Sequence, residues 1–262
     1  MNILDKIVAN TAQEVADRKS LVTTSELESS PYFSRDCYKV TDFLVDPNKS
    51  GIIAEIKKQS PSKGVINDSI SVEDVGIGYE KSGASAISVL TDLEFFGGKM
   101  EYLTQVREKV NIPVLRKDFM IDEYQVLEAK AIGADFILLI AACLIPEKMK
   151  SLANLAHSLG LQVLMEVHDK EELLRSIMPE LDVIGVNNRN LKTFDVSIQT
   201  SLDLLEFIPD EFKKVSESGL SEVTDMKILK AAGFDGFLIG ETFMKTNDPA
   251  GALGQLVQKL KA

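Results

Sequence analysis

The alternation of eight short apolar runs with longer amphipathic stretches predicts an α/β chain closed into a (β/α)8, or TIM, barrel, preceded by an N-terminal helical extension. Three observations lead there. The runs are apolar throughout rather than alternating with polar residues, as in parallel strands covered by helices on both faces. A glycine-led motif recurs as Gly83-Ala84-Ser85-Ala86-Ile87, Gly133-Ala134-Asp135-Phe136-Ile137 and Gly233-Phe234-Asp235-Gly236-Phe237, spaced 50 and then 100 residues apart. Both spacings are multiples of about 25, the length of one strand–helix unit. Finally, 262 residues suit one such barrel. Residues 1–262 are therefore expected to form one domain, with 1–48 an extension packed on the barrel.

The elements follow in order. Ile3, Ile7, Val8 and Val15 recur at near-helical spacing between charged residues, which predicts an amphipathic helix. Residues 23–48 read as irregular, with Ser29-Ser30-Pro31, Asp46-Pro47-Asn48 and a short helix near Val40–Val45. From Gly51 the strand candidates are Ile52–Ile56, Ala86–Leu90, Pro113–Leu115, Phe136–Ile140, Leu161–Met165, Val183–Val186, Lys214–Val215 and Phe237–Ile239. In each repeated motif the Gly ends a helix and a two-residue turn leads into a strand, which numbers those strands 2, 4 and 8. An open doubly wound sheet is the rival architecture. It usually carries a Gly-rich phosphate fingerprint after its first strand, and the sequence has neither GxGxxG nor GxxxxGKS.

Composition narrows the function classes. A net charge of −11 argues against a nucleic-acid partner, although a small anionic ligand needs only a local positive site. Cys37 and Cys143 lie in no motif, and the only histidines are His157 and His168. That rules out a disulfide scaffold, a CxxC centre and a His/Cys zinc site, and no metal or cofactor is called for. Cys143 reads as a small buried hydrophobe and His157 as an exposed helix position; His168, two residues after Glu166, reads first as a solvated loop residue, with entry into the barrel mouth as the alternative. The longest apolar run, Phe136–Ile145, is too short to cross a bilayer. Asp5 and Lys6 interrupt the apolar N-terminus, so no signal peptide is read, and a cytoplasmic location without membrane partners is expected.

Barrel chemistry collects where strands end. Glu55 and Lys57 lie two apart at the end of strand 1 and share a face. Lys117, sharing parity with Leu115, ends strand 3; Glu166 ends strand 5; Asn187 and Arg189 follow strand 6. A lone Lys or Glu at a strand end is ordinarily a surface residue. Four at one mouth must satisfy each other or a ligand, because an unpaired buried charge costs several kcal/mol. They make an acid–base set, unless parity slips by one and Arg116 and Asp118 point inward instead. Ser218-Gly219 and Gly240-Glu241, after strands 7 and 8, suit a phosphate cradle or simply tight turns. Ser60 and Ser62 add hydroxyls. The carboxylate of Glu241 opposes phosphate unless it turns away. Phe96, Leu115, Phe119, Leu138, Leu191 and Leu238 supply an apolar wall.

The segment Ala54-Glu55-Ile56-Lys57-Lys58-x-Ser60-Pro61-Ser62-x-Gly64 resembles the signature of the indole-3-glycerol-phosphate synthases. So do, in order, Phe95-Phe96-Gly97-Gly98, Leu115-Arg116-Lys117-Asp118-Phe119, Glu166-Val167-His168, Gly185-Val186-Asn187-Asn188-Arg189 and Ser216-Glu217-Ser218-Gly219. The resemblance implies a carboxy-lyase of tryptophan biosynthesis. That enzyme turns 1-(2-carboxyphenylamino)-1-deoxyribulose 5-phosphate into indole-3-glycerol phosphate, carbon dioxide and water. By resemblance, Lys117 is the acid of ring closure and Glu166 its partner base or the acid–base of dehydration. Glu55 and Lys57 position and protonate substrate. Asn187 and Arg189 hold its carboxylate or hydroxyls, and Ser60, Gly219 and Gly240 bind phosphate. Two positions depart from the family pattern: Lys99 and Glu241 stand where Ser is frequent, so a side-chain phosphate donor is missing after strand 8. Another phosphosugar barrel, such as phosphoribosylanthranilate isomerase, is the first rival, but it uses a Cys and Asp pair and no Cys ends a first strand here. A non-catalytic phosphometabolite-binding barrel is the second. The chain ends at Ala262 without a second barrel, so a monofunctional form is expected, as a monomer or weak homodimer able to associate with other enzymes of its pathway.

Overall fold

The computed structural model describes residues 3–61, 63–191 and 193–262, which leaves Ser62 outside the described residues. Eight parallel strands close into a barrel: β1 Ile52–Ile56, β2 Ala86–Leu90, β3 Val114–Lys117, β4 Phe136–Ile140, β5 Gln162–Val167, β6 Val183–Asn187, β7 Lys213–Glu217 and β8 Gly236–Ile239. Each strand pairs with the next, and β8 returns to β1 with Ile53 opposite Leu238. Four strands run further toward their C-terminal ends than apolar runs alone suggest: β3 to Lys117, β5 to Val167, β6 to Asn187 and β7 to Glu217. Their last inward positions are polar, so hydrophobicity stops before the backbone ladder does.

The helices cover the outside. α1 (Ile3–Leu21), α2 (Thr24–Glu28) and α3 (Val40–Val45) form the extension. They are followed by α4 (Val72–Lys81), α5 (Met100–Arg107), α6 (Glu123–Ala131), α7 (Pro146–Ser158), α8 (Lys170–Ser176), α9 (Gln199–Leu205), α10 (Val223–Ala232), α11 (Glu241–Met244) and α12 (Pro249–Lys261). The 23–48 segment is thus less irregular than expected. Thr23 caps α2 reciprocally with Glu26, a local Thr-x-x-Glu box that the sequence displays. No helix among the described residues is long and apolar enough to cross a membrane.

Strand parity sorts the core into two shells. Ile52, Ala54 and Ile56 face the helices. Ile53, Ala86, Leu115, Phe136, Leu138, Leu164, Val183, Val215 and Leu238 fill the barrel, with Val40 and Leu44 of α3 packed onto this inner core. The inward parity of β1 continues from Ile53 to Glu55, of β3 from Leu115 to Lys117, of β5 from Leu164 to Glu166 and of β7 from Val215 to Glu217. All four ionisable groups therefore reach the same mouth. Arg116 and Asp118 take the opposite parity and lie between barrel and helices, paired at 2.9 Å.

The repeated glycine motif has a second component. Asp135 Oδ2 accepts the backbone N–H of Val114, and Asp235 Oδ2 that of Lys214, each on the preceding strand. Ser85 Oγ does the same for Gly51. One side-chain oxygen thus closes the bottom of each of these three interstrand seams. Arg35 of the extension reaches the same Asp135 at 2.7 Å, and Arg18 of α1 reaches Glu128 of α6 at 2.7 Å, fastening the extension to the barrel. The start of α1 borders the mouth through Ile3, Leu4 and Ile7, whereas α12 ends at the other face, where Lys261 lines a cavity with Gly51 and Asp235.

Candidate active site

A cavity of about 230 Å³ opens at the C-terminal ends of the strands. Apart from Ser62, which lies outside the described residues, every residue expected to act on substrate lines it: Glu55, Lys57, Ser60, Phe96, Lys117, Phe119, Glu166, Asn187, Arg189, Leu191, Ser218, Gly219, Leu238, Gly240 and Glu241. Leu115, expected in the wall, sits below in the inner core, two residues deeper along β3 than Lys117.

Two ion pairs stand at the centre. Lys57 Nζ lies 2.7 Å from Glu55 Oε1, and Lys117 Nζ lies 3.2 Å from Glu166 Oε2. Asn187 Nδ2 donates to the other oxygen of Glu166 at 3.2 Å. Burial opposes the charge on Glu166, but Lys117, then His168 and Asn187, outweigh it and hold this carboxyl far below the usual range. Glu55 is lowered in the same way, with burial offset by Lys57 and Lys117. Lys117, surrounded by Glu166, Glu217 and Glu55, keeps its proton more firmly than an ordinary lysine despite its burial.

Two groups were not placed in the site by sequence reasoning. Glu217 ends β7 with its carboxyl 2% exposed as a residue, and burial together with the neighbouring charge of Glu166 raises it well above the usual carboxylate range. The environments of Glu166 and Glu217 thus push two neighbouring carboxyls in opposite directions, the first toward its charged form and the second toward its neutral form. Glu217 was legible only as parity with Val215, and an expected strand of two residues offered no parity to extend. His168 is a correction. It is not solvated: its side chain is 8% exposed and lies 3.3 Å from Glu166 and 3.1 Å from Glu172. Burial lowers its basicity, but the two carboxylates override this and push it up to about 10. His157, by contrast, is an exposed residue of α7, paired with Asp182. Cys143 is half-buried and packs between the two cores, and burial pushes its thiol up to about 12.

Glycine is required where carboxylates press on backbone. A Cβ on Gly240 would stand 2.6 Å from Glu55 Oε1, and one on Gly185 would collide with Glu217. Ser218 and Gly219 both adopt left-handed backbone, at φ 67 and 71. For Ser218 this conformation carries strain, supported by Asn188 Nδ2, which donates to its carbonyl at 3.2 Å. Thr242 Oγ1 donates to Leu220 O at 3.0 Å, tying the loops after β7 and β8 together. Glu241 turns toward Lys63, 3.9 Å away, rather than into the cradle. The rings of Phe96 and Phe119, 6.0 Å apart between centroids, form the apolar wall. Asp92 Oδ1 accepts the N–H groups of Phe95 and Phe96 and so fixes the Phe96 loop. Lys99 lies over the Tyr102 ring, outside the cavity lining.

Comparison with known proteins gives the family of the chain. The chain is 46% identical over 258 residues to an indole-3-glycerol phosphate synthase of a Polaromonas species, covering 97% of this chain and 98% of that one. It is 44% identical over 257 residues to the synthase of Burkholderia ambifaria, with the same coverage. Among solved structures, the 3-hexulose-6-phosphate synthase of Salmonella typhimurium superposes with a TM-score of 0.64 at 15% identity, covering 80% of this chain and 98% of that one, a likeness of fold alone. Neither the isomerase nor the binding-barrel reading is favoured by these matches. The family description indole-3-glycerol phosphate synthase spans residues 4–256, and the chain belongs to that family.

Proposed function

We infer that this protein closes the indole ring. It converts 1-(2-carboxyphenylamino)-1-deoxyribulose 5-phosphate into indole-3-glycerol phosphate with loss of carbon dioxide and water, as a carboxy-lyase of tryptophan biosynthesis. The observation that carries the residue roles is the Lys117–Glu166 pair at the centre of a cavity that also offers an aromatic wall and a strained Ser-Gly turn.

The roles follow from charge state and position. The aryl ring of the substrate lies against Phe96 and Phe119, and its carboxylate meets Arg189. The phosphate sits at Ser60, Ser218-Gly219 and Gly240, which bring backbone N–H groups close to it. Lys117, whose ammonium is secure, faces the ketone oxygen; it stabilises the negative charge that develops there as the ring carbon attacks, and passes on its proton once that oxygen is basic enough to take it. Loss of carbon dioxide from the attacking carbon leaves its bonding electrons to restore the aryl ring; Glu166, ionised, then accepts the proton given up by the new five-membered ring as its hydroxyl departs. Glu217, which burial and Glu166 push toward its neutral form, and Lys57, oriented by Glu55, are the donors available for loss of the hydroxyl as water. Residues 1–48 work with the barrel as one unit, since Ile3, Leu4 and Ile7 complete the cavity wall. A biosynthetic reaction on a phosphorylated metabolite is expected in the cytoplasm.

The test is indole fluorescence during incubation of the protein with the anilino-deoxyribulose phosphate. The chain contains no Trp, so protein indole contributes no background. A protein-dependent rise establishes the activity; saturable substrate binding without a rise would leave only a binding barrel.

A further inference from the structure

Glu166 is fixed one oxygen at a time. Oε2 faces Lys117, while Oε1 takes Asn187 Nδ2 at 3.2 Å and His168 Nε2 at 3.3 Å. His168 is itself clamped from behind. Glu172 Oε2 accepts the backbone N–H of His168 at 2.8 Å and faces ring Nδ1 at 3.1 Å. Glu172 is set in turn by Asp169, whose Oδ1 accepts the Glu172 N–H at 2.9 Å at the start of α8. Both imidazole nitrogens therefore face carboxylates, an arrangement only the doubly protonated ring satisfies. The Nε2 contact is an ion pair without good hydrogen-bond alignment, as is common before substrate closes a site.

We propose that His168, held by Glu172, is a positioning residue for Glu166: it orients the carboxylate so that Oε2 alone faces the substrate. The proposal rests on the reading that Glu166 exchanges a proton with substrate. The other charged or titratable groups around Glu166 are Lys117 of β3, Glu55 and Lys57 at the end of β1, Glu217 of β7, Glu172 of α8 and Cys143 after β4. Of these, Lys117 alone remains as a close cation when His168 is removed. Glu166 then becomes more basic and swings between two orientations. The cost falls on kcat rather than on KM, because Glu166 acts on the substrate and does not hold it.

The experiment is the measurement of kcat and KM by indole fluorescence for the unaltered protein, Glu172→Gln, His168→Asn, their combination, and Glu166→Gln. Glu172 does not line the cavity, so Glu172→Gln is the cleaner probe. It is expected to lower kcat about tenfold with KM within about twofold, a split that a merely structural role would not give. His168→Asn is expected to do the same more strongly, and the double variant to lose no more than His168→Asn alone, because the two residues act through one contact. An unchanged kcat in both single variants, a loss confined to KM, or additive losses would overturn the proposal. If His168→Asn fails to give a cooperative thermal transition, Glu172→Gln decides alone. The underlying reading fails in a different way: Glu166→Gln would then retain kcat. A crippled Glu166→Gln beside unaltered His168 and Glu172 variants removes only the positioning role.

Discussion

Lys117 and Glu166 stand 3.2 Å apart at the base of the open mouth, both largely buried, and neither is an ordinary member of its residue type there. In the proposed mechanism the Lys117 ammonium, held among the side chains of Glu166, Glu217 and Glu55, supplies fixed positive charge as an oxyanion forms. Lys117→Ala is therefore expected to lower kcat by about 10²–10⁴-fold with the circular dichroism spectrum unchanged, and substantial kcat in that variant would take Lys117 out of the mechanism. Glu55, Lys57, Lys117 and Glu166 were legible because each shares parity with apolar residues of its own strand. Glu217 has the same parity but follows only one clearly apolar residue, Val215, so pattern could not separate it from a surface glutamate. His168 was legible as a neighbour of Glu166, but its direction is set by Glu172 one turn into α8, a contact that residue types alone do not fix.

The elements that carry these groups are tied by buried polar links whose removal has foreseeable costs. Arg116, fully buried on the outer face of β3, meets Asp118 at 2.9 Å and Glu128 at 3.2 Å, and Glu128 also receives Arg18 from α1. One carboxylate thus joins the extension, α6 and the strand that carries Lys117. Glu128→Leu leaves two arginines short of a partner, one of them in the core, and is expected to destabilise the fold by about 3–5 kcal/mol in a urea titration. The loop after β2 depends on Asp92, which burial pushes up to about 6. In the unfolded chain the same group titrates near 3.8. The native state therefore keeps a proton that the unfolded chain gives up, so the stability linked to Asp92 is full below about pH 3.8 and is lost as pH rises through about 6. Asp92→Asn is expected to flatten the stability curve between those values, and an unchanged slope would show that Asp92 does not titrate there. The glycine spacing that numbered the strands was visible in the sequence. The Asp and Ser oxygens beside it were visible too, but their bonds to the preceding strand depend on register, which no single segment displays.

Across the whole molecule the charges are sorted by the barrel. The helices between strands run antiparallel to them, so their first turns surround the mouth and their last turns the opposite face. First turns carry acids, such as Glu73, Glu123 and Glu147, and last turns carry bases, such as Lys81, Lys130 and Lys230, each complementing its helix dipole. The total remains −11, and that excess repels itself in the compact state. Raising salt from about 0.01 to 0.1 M shortens the screening length from about 30 to 10 Å, so the thermal midpoint is expected to rise in calorimetry over that range. A fall would mean that exposed ion pairs outweigh the net repulsion. The barrel itself was the most legible property, because eight doubly covered apolar runs and a fixed glycine period are features of the whole chain and survive errors at any one boundary. The direction of the chain has a practical side. α1 starts at the rim of the cavity and α12 ends beside Gly51 on the far face. A protein tethered to a bead through its last helix presents an open mouth to the solution; the same protein tethered through its first helix meets the bead with its substrate entrance.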